Sequence, residues 1–215
     1  MAVQLVSTAT LLPQIAPFAP TCPAFVAEQQ IRMAAIELAE VSRSWRHVTT
    51  ISAVAADETL VAPPFTAIHE IEFAEFEGQP LTPIQFSTFE QGGEGRPTHI
   101  SQISPGGICL SPFMPGTLRV SLFLKPRADN AMGGNPVKPF EDAHNVIPDF
   151  FVYLHGSTLT MGALARIYAI PDEPWTDEGR AAFYNAEFIR KRDSTFRANL
   201  RGQQRAKLRT RFRDM

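Results

Sequence analysis

Apolar residues recur at helical spacing in three segments of the chain. In the first, the intervals are four, three, four and three positions, through Ala27, Ile31, Ala34, Leu38 and Val41. Such intervals place side chains on one face of an α-helix, so we predict helices over about 24–44, 149–170 and 177–200. The last helix is expected to bury Phe183, Ala186, Ile189 and Phe196, and Trp45 should anchor the exit of the first.

Between the first two helices the period of the apolar pattern changes to two. Alternation is clearest over 117–125, where Leu118, Val120, Leu122 and Leu124 occupy every second position. This period is typical of a half-buried strand, and we predict a small antiparallel sheet or sandwich over about 48–125. The fold class is therefore predicted to be α+β. One N-terminal and two C-terminal helices form a bundle, the last two packing antiparallel across a five-residue link, with the β domain inserted.

Prolines mark the connections between these elements. The chain has 18 prolines, more than the ~5% that is typical of proteins, and four fall in the first 23 residues. We expect residues 1–23 to be extended, with Pro23 opening the first helix. Residues 126–147 lack periodicity and should form a long loop, and Thr176 is the predicted N-cap of the last helix.

Charge is unevenly distributed along a chain whose net charge is −2. Residues 1–179 contain nine Lys/Arg and nineteen Asp/Glu, whereas residues 180–215 contain eleven Lys/Arg and three Asp/Glu. This polarity favours contact between the basic end and an acidic surface, either a neighbouring protein or nucleic acid. No segment approaches the ~20 apolar residues of a membrane helix, and residues 1–20 lack the basic start of a signal peptide.

One segment resembles catalytic machinery. Residues 151–157, Phe-Val-Tyr-Leu-His-Gly-Ser, look like the strand and oxyanion loop of an α/β-hydrolase, where backbone N–H groups stabilise negative charge. That chemistry also needs a Gly-x-Ser-x-Gly nucleophile elbow, which the sequence lacks. We therefore favour a helix in which Gly156 and Gly162 permit close helix contact, with a small hydrolase built on His155 as the alternative.

The remaining candidate groups predict no catalytic residue, metal or cofactor. The five histidines stand at no metal-ligand spacing. An acidic run fits a solvated strand edge or a face between subunits better than a general acid–base pair, and it comprises Glu70, Glu72, Glu75 and Glu77. Cys22 and Cys109 are expected to be reduced.

The basic end is the group with the strongest functional pattern. Cations and two apolar residues fall within thirteen positions, as Arg201, Arg205, Lys207, Leu208, Arg209, Arg211, Phe212 and Arg213. Three interpretations remain open. The segment is a solvated end, a tail that orders on an acidic partner, or a DNA-binding element of salt-sensitive affinity.

Two segments carry a resemblance to a known family. The first is 12–45, with the proline-punctuated run 17–23, Ile-Arg-Met-Ala-Ala-Ile-Glu at 31–37, and Trp45. The second runs from Gly-Ala-Leu-Ala-Arg at 162–166 through Pro174-Trp175 to Tyr184, Phe188 and the Arg-rich end. Together they resemble phage and prophage adaptor proteins related to podophage tail tubular protein A.

The resemblance implies a structural, non-enzymatic protein of the virion, assembled in the host cytoplasm. Residues 1–200 would form one adaptor domain, and residues 201–215 a tail that docks on the portal. Twelve copies would form a ring between the portal and a tail tube or nozzle protein, and the genome would pass through the lumen without sequence-specific binding. A head-completion or stopper protein and a DNA-binding packaging factor are the alternatives. The sequence departs from the family at 131–145, which looks like a longer loop than the family leads us to expect.

Overall fold

The chain combines helices with several, mostly antiparallel, sheets. The computed structural model describes residues 3–53, 58–86, 93–127 and 146–200. Over these ranges there are four α-helices, namely α1 Leu12–Ile15, α2 Ala24–Ser42, α3 Asp149–Tyr168 and α4 Glu178–Leu200. The predicted α+β class is thereby confirmed. The last three helices lie within two residues of the bounds that the apolar spacing predicts.

The N-terminal segment differs from the sequence prediction. Residues 1–23 were expected to be extended, but Thr8–Leu11 forms a 3-10 helix that leads directly into α1. Pro13 lies in the first turn of α1, where the missing N–H needs no partner. Leu11 and Ile15 are fully buried, so packing stabilises a helix too short to form by itself.

The structure describes ten strands, which are β1 Leu5–Ser7, β2 Arg46–Ala53, β3 Thr59–Leu60, β4 Thr66–Phe76, β5 Gln79–Pro80, β6 Thr82–Pro83, β7 His99–Gln102, β8 Gly107–Ser111, β9 Gly116–Pro126 and β10 Val146–Pro148. One sheet has the order β2-β9-β4-β5 and another β3-β8-β7-β6, while β1 pairs with β10. The described pairs are antiparallel except β6 with β7.

Strand β9 is the centre of the first sheet. It hydrogen-bonds β2 on one side and β4 on the other. Its alternating apolar residues are all fully buried, as Leu118, Val120, Leu122 and Leu124. They share one hydrophobic core with Ile100 and Ile108 of the second sheet.

Trp45 joins the helices to the sheet. The residue is 3% exposed, and its ring meets the rings of Phe150 and Phe151 edge-on, at centroid distances of 6.3 and 6.2 Å. Its carbonyl accepts from Leu124 N at 2.8 Å. The first residues of α3 and the turn after α2 are therefore fixed together on β9.

A candidate interaction surface on the C-terminal helical hairpin

The eight predicted portal-binding residues lie outside the described part of the chain. They are Arg201, Arg205, Lys207, Leu208, Arg209, Arg211, Phe212 and Arg213, and the description ends at Leu200. The helix that leads to them, α4, is described in full. Helix α4, together with α3, therefore carries the described surface that precedes the tail.

Helix α4 buries very little of itself. Of its 23 residues, Phe188 is the fully buried one. The sequence prediction for the buried side is wrong, because Phe183 is 62% and Ile189 36% exposed. Phe188 takes the core position because it packs against Gly162 of α3. The sequence shows that Gly162 has no side chain, but it does not show which residue packs there.

Helices α3 and α4 run antiparallel, as one contact beside the link and one near the middle of both helices show. Lys191 Nζ lies 3.1 Å from Ser157 Oγ, and the Arg180 guanidinium lies 5.6 Å from the centroid of the Tyr168 ring. The start of α3 therefore lies beside the end of α4, and the end of α3 beside the start of α4. Each end of this hairpin presents a different surface.

The surface at the start of α3 is apolar and basic. Tyr153 and Leu154 are 78% and 73% exposed, and Leu154 lines a groove of about 590 Å³ together with Lys191 and Arg197. Asp193 lines the same groove and is paired with Arg192 at 3.0 Å. We call Tyr153, Leu154, Lys191 and Arg197 the basic face. Within the described residues neither cation of this face forms an ion pair, whereas neighbouring Arg190 binds Glu187 at 2.5 Å.

The surface at the other end of the hairpin is aromatic and acidic. The Tyr184 ring stacks on Tyr168 at 5.8 Å and meets Phe18 and Phe183 edge-on, at 6.4 and 5.3 Å. Asp172 and Glu173 are exposed in the link that follows α3 and, in the described ranges, make no ion pair. We call Phe18, Phe183, Asp172 and Glu173 the acidic face.

The acidic run on β4 and in the turn after it has partners within the chain. Arg43 binds Glu70 at 2.7 Å, Arg46 binds Glu72 at 2.6 Å, and Arg119 binds Glu75 at 3.2 Å. Glu77 accepts from Thr117 N at 2.5 Å. Cations of β2, β9 and the α2 C-cap therefore pair three of these carboxylates, which are still 25–40% exposed; a solvated strand edge or a face between subunits stays a prediction.

The oxyanion-loop alternative does not fit the observed backbone. Residues 151–157 lie inside α3, where the N–H groups of Gly156 and Ser157 belong to the hydrogen-bond ladder of the helix. The His155 ring meets Phe151 edge-on at 6.0 Å, and burial lowers the pKa of His155 below its ordinary value. Gly156 lies against Leu11 and Gln14. The two glycines thus provide the close packing that we expected, with the N-terminal segment contacting Gly156.

Cysteines and potential metal ligands have simple surroundings. Cys22 and Cys109 are both free thiols, and burial raises the pKa of Cys109 to about 11. Among the described residues, no group of three or more His, Cys, Asp or Glu side chains is placed to hold a metal ion. None of the described helices has the length and apolar character needed to cross a membrane.

Comparison with protein-family models and with curated proteins finds no match.

Proposed function

We propose that this chain is a structural subunit of a tailed-phage neck, a head-to-tail adaptor that forms a ring beneath the portal. The observation that carries the proposal is α4, a 23-residue helix with a single fully buried side chain. It exposes Phe183, Ile189 and Leu200 and leads directly into the cationic segment. Exposed apolar surface of this kind is typical of a protein that works inside an assembly.

The resemblance of 12–45 and 162–188 to phage adaptors supports the same proposal and assigns roles to the parts. The helices would build the ring wall, and the inserted β domain would face the tail tube or nozzle protein. Residues 201–215 would dock on the portal through arginine forks on carboxylates, with Leu208 and Phe212 as apolar anchors. A dodecamer follows from the resemblance alone, and DNA would pass through the lumen without base contacts.

Direct imaging tests this proposal. The full chain would be mixed with the portal protein encoded by the same genome and viewed by negative-stain electron microscopy. We expect a closed annulus stacked on the portal. A chain that stays monomeric beside the portal, and that is missing from the neck of mature particles, would contradict the proposal.

Deleting residues 201–215 tests the docking role of the tail. We expect portal attachment to be lost while the folded domain keeps its circular dichroism spectrum. A matched variant replaces the five arginines of the tail, Arg201, Arg205, Arg209, Arg211 and Arg213, by lysine. It should attach weakly if bidentate guanidinium contacts matter, because lysine keeps the charge and lacks the fork. Attachment that survives the deletion would remove the tail from the proposal.

A second candidate function is supported by Lys191 and Arg197 in the second half of α4, which form no ion pair among the described residues. Continued by the basic tail, they could neutralise phosphates of a DNA-binding packaging factor. Such binding loses affinity steeply with salt because counterions are released. A gel shift on random-sequence duplex DNA across 50 to 300 mM salt, about the range where this effect is large, would separate the two functions.

A further inference from the structure

The two exposed faces of the α3–α4 hairpin are complementary in charge. The basic face offers Lys191 and Arg197, which form no ion pair among the residues that the structure describes. The acidic face offers Asp172 and Glu173, which likewise make none there. Each face also exposes two large apolar side chains, Tyr153 with Leu154 and Phe18 with Phe183.

Both faces have the composition of a protein interface. Interface cores are enriched in aromatic residues, while charges at the rim steer and orient the partners. Phe18 and Phe183 flank the ring of Tyr184, at 6.4 and 5.3 Å, so the acidic face has a preformed aromatic centre. Tyr153 and Leu154 at 78% and 73% exposure are the least covered large apolar side chains of the described chain.

Because the helices are antiparallel, the faces lie at opposite ends of one rigid unit. Residues 154 and 168 are separated along α3 by about 20 Å at 1.5 Å per residue. A subunit therefore cannot satisfy its own basic face with its own acidic face. It can satisfy each face with a different copy of itself.

We infer that the basic face, Tyr153, Leu154, Lys191 and Arg197, binds the acidic face, Phe18, Phe183, Asp172 and Glu173, of a second copy of this chain. This inference rests on the proposed function, since a subunit that works alone needs no second copy. The contact is heterologous: one face meets a different face, so an open row of bound copies leaves one basic face free at one end and one acidic face free at the other. Such contacts propagate until the rotation between copies closes a ring.

The alternative occupants of the basic face are less well matched. Duplex DNA would use Lys191 and Arg197 but would leave Tyr153 and Leu154 without an apolar partner. A self-contact pairs both charges and covers all four apolar side chains at once. The unpaired carboxylates and exposed aromatics at the other end of the hairpin also gain partners.

Charge reversal at each face tests the inference on the full chain. Lys191→Glu with Arg197→Glu reverses the basic face. Asp172→Asn with Glu173→Lys reverses the acidic face, and Asn is used because Asp172 has φ of +60°, which Asn tolerates. Arg96→Glu and Glu94→Lys are matched controls, since both residues are exposed and lie in the β domain.

Self-association would be measured by sedimentation velocity and mass photometry, with and without the portal protein. Each face variant should weaken it by about tenfold or more, because an attraction becomes a repulsion, while the controls match the wild type. An equimolar mixture of the two face variants should assemble again, because every contact then joins opposite charges. The chain carrying all four substitutions should also assemble by itself.

Different failures have different meanings. If rings form normally in both face variants, the inferred contact is wrong and the proposed ring function stands. If Lys191→Glu with Arg197→Glu loses portal or DNA binding but keeps self-association, the basic face serves that partner and the inference is overturned. If the wild-type chain never associates, even with the portal, the proposed function fails and the inference with it. Circular dichroism and thermal unfolding check that each variant is folded.

Discussion

Gly162 of α3 lies against the ring of Phe188 of α4 so closely that a Cβ built on the glycine would stand 2.8 Å from Phe188 Cδ2. The same Cβ would stand 2.9 Å from Ala34 Cβ of α2. All three main helices of the bundle therefore meet at a position without a side chain. Phe188 and Ala34 are both fully buried, so neither can move aside at small cost.

Gly162→Ala is therefore expected to destabilise the protein. The intrinsic helical preference for Ala over Gly is worth about 1 kcal/mol, but overpacking of a tight core costs about 1–3 kcal/mol and should outweigh it. Urea unfolding would measure the loss. Gly179→Ala is the matched control, because its Cβ would meet nothing nearer than Asp177 Oδ1 at 3.4 Å. Equal stability of the two variants would show that the helices can separate at Gly162.

Glu37 should be the main polar link between the three helices. Its carboxylate accepts from Arg166 of α3 and from Arg192 of α4, the latter at 2.5 Å. The Glu37 side chain is 34% exposed and Arg192 17% exposed, so water screens the pairs only in part. Glu37→Gln should lower the free energy of unfolding by about 1–2 kcal/mol.

The effect of Glu37→Gln should shrink when the unfolding is repeated in 1 M salt, because ions screen charge pairs. Glu187→Gln is the control, since Glu187 binds Arg190 within one exposed turn of α4, and we expect no measurable change from it. A salt-independent loss at Glu37 would indicate a packing role in place of an electrostatic one.

Asp177 is expected to be the N-cap of α4. Its Oδ1 accepts from Arg180 N at 2.9 Å, whereas Thr176 Oγ1 donates to Ile170 O and accepts from Glu173 N. The sequence prediction of Thr176 as the cap is therefore wrong by one residue. Asp177→Ala should cost about 1 kcal/mol and Asp177→Asn much less, because Asn keeps the acceptor. Thermal unfolding followed at 222 nm would rank the variants.

Cys109 should make stability fall in alkali. Burial holds its pKa at about 11, against an ordinary value of 9.0. Because the folded-state pKa is the higher one, the unfolded chain loses the thiol proton first as pH rises. Stability is then complete below pH 9.0 and declines up to about pH 11, by up to about 3 kcal/mol in all.

Urea unfolding of the wild type and Cys109→Ala at pH 8 and pH 10.5 would isolate this contribution. The difference between the free energies of unfolding of the two proteins should be smaller at pH 10.5 than at pH 8, since the variant has no thiol to ionise at position 109. Thiol labelling at pH 8 gives a second measurement, in which half-buried Cys22 should react before Cys109. Rapid labelling of Cys109 in the native state would contradict the burial argument.

The amino-acid sequence by itself determined the elements with a strong period. The four-three spacing over Ala27–Val41 and the alternation over Leu118–Leu124 fixed one helix and one central strand, because each period places apolar residues on a single face of that backbone form. Short elements could not be predicted from periodicity. The Thr8–Ile15 helices and the pairing of β1 with β10 depend on contacts made after the chain has folded, and their lengths are too small to carry a period.

The tertiary structure alone decided which sides of the hairpin are exposed. Phe183 and Phe188 are identical in residue type, and only Phe188 is buried, because its ring packs where Gly162 has no side chain. Lys191 and Leu154 stand 37 positions apart and line one groove because α3 and α4 are antiparallel. Charge and exposure at a surface depend on which distant residues neutralise or cover it, and spacing along a chain carries no record of those neighbours.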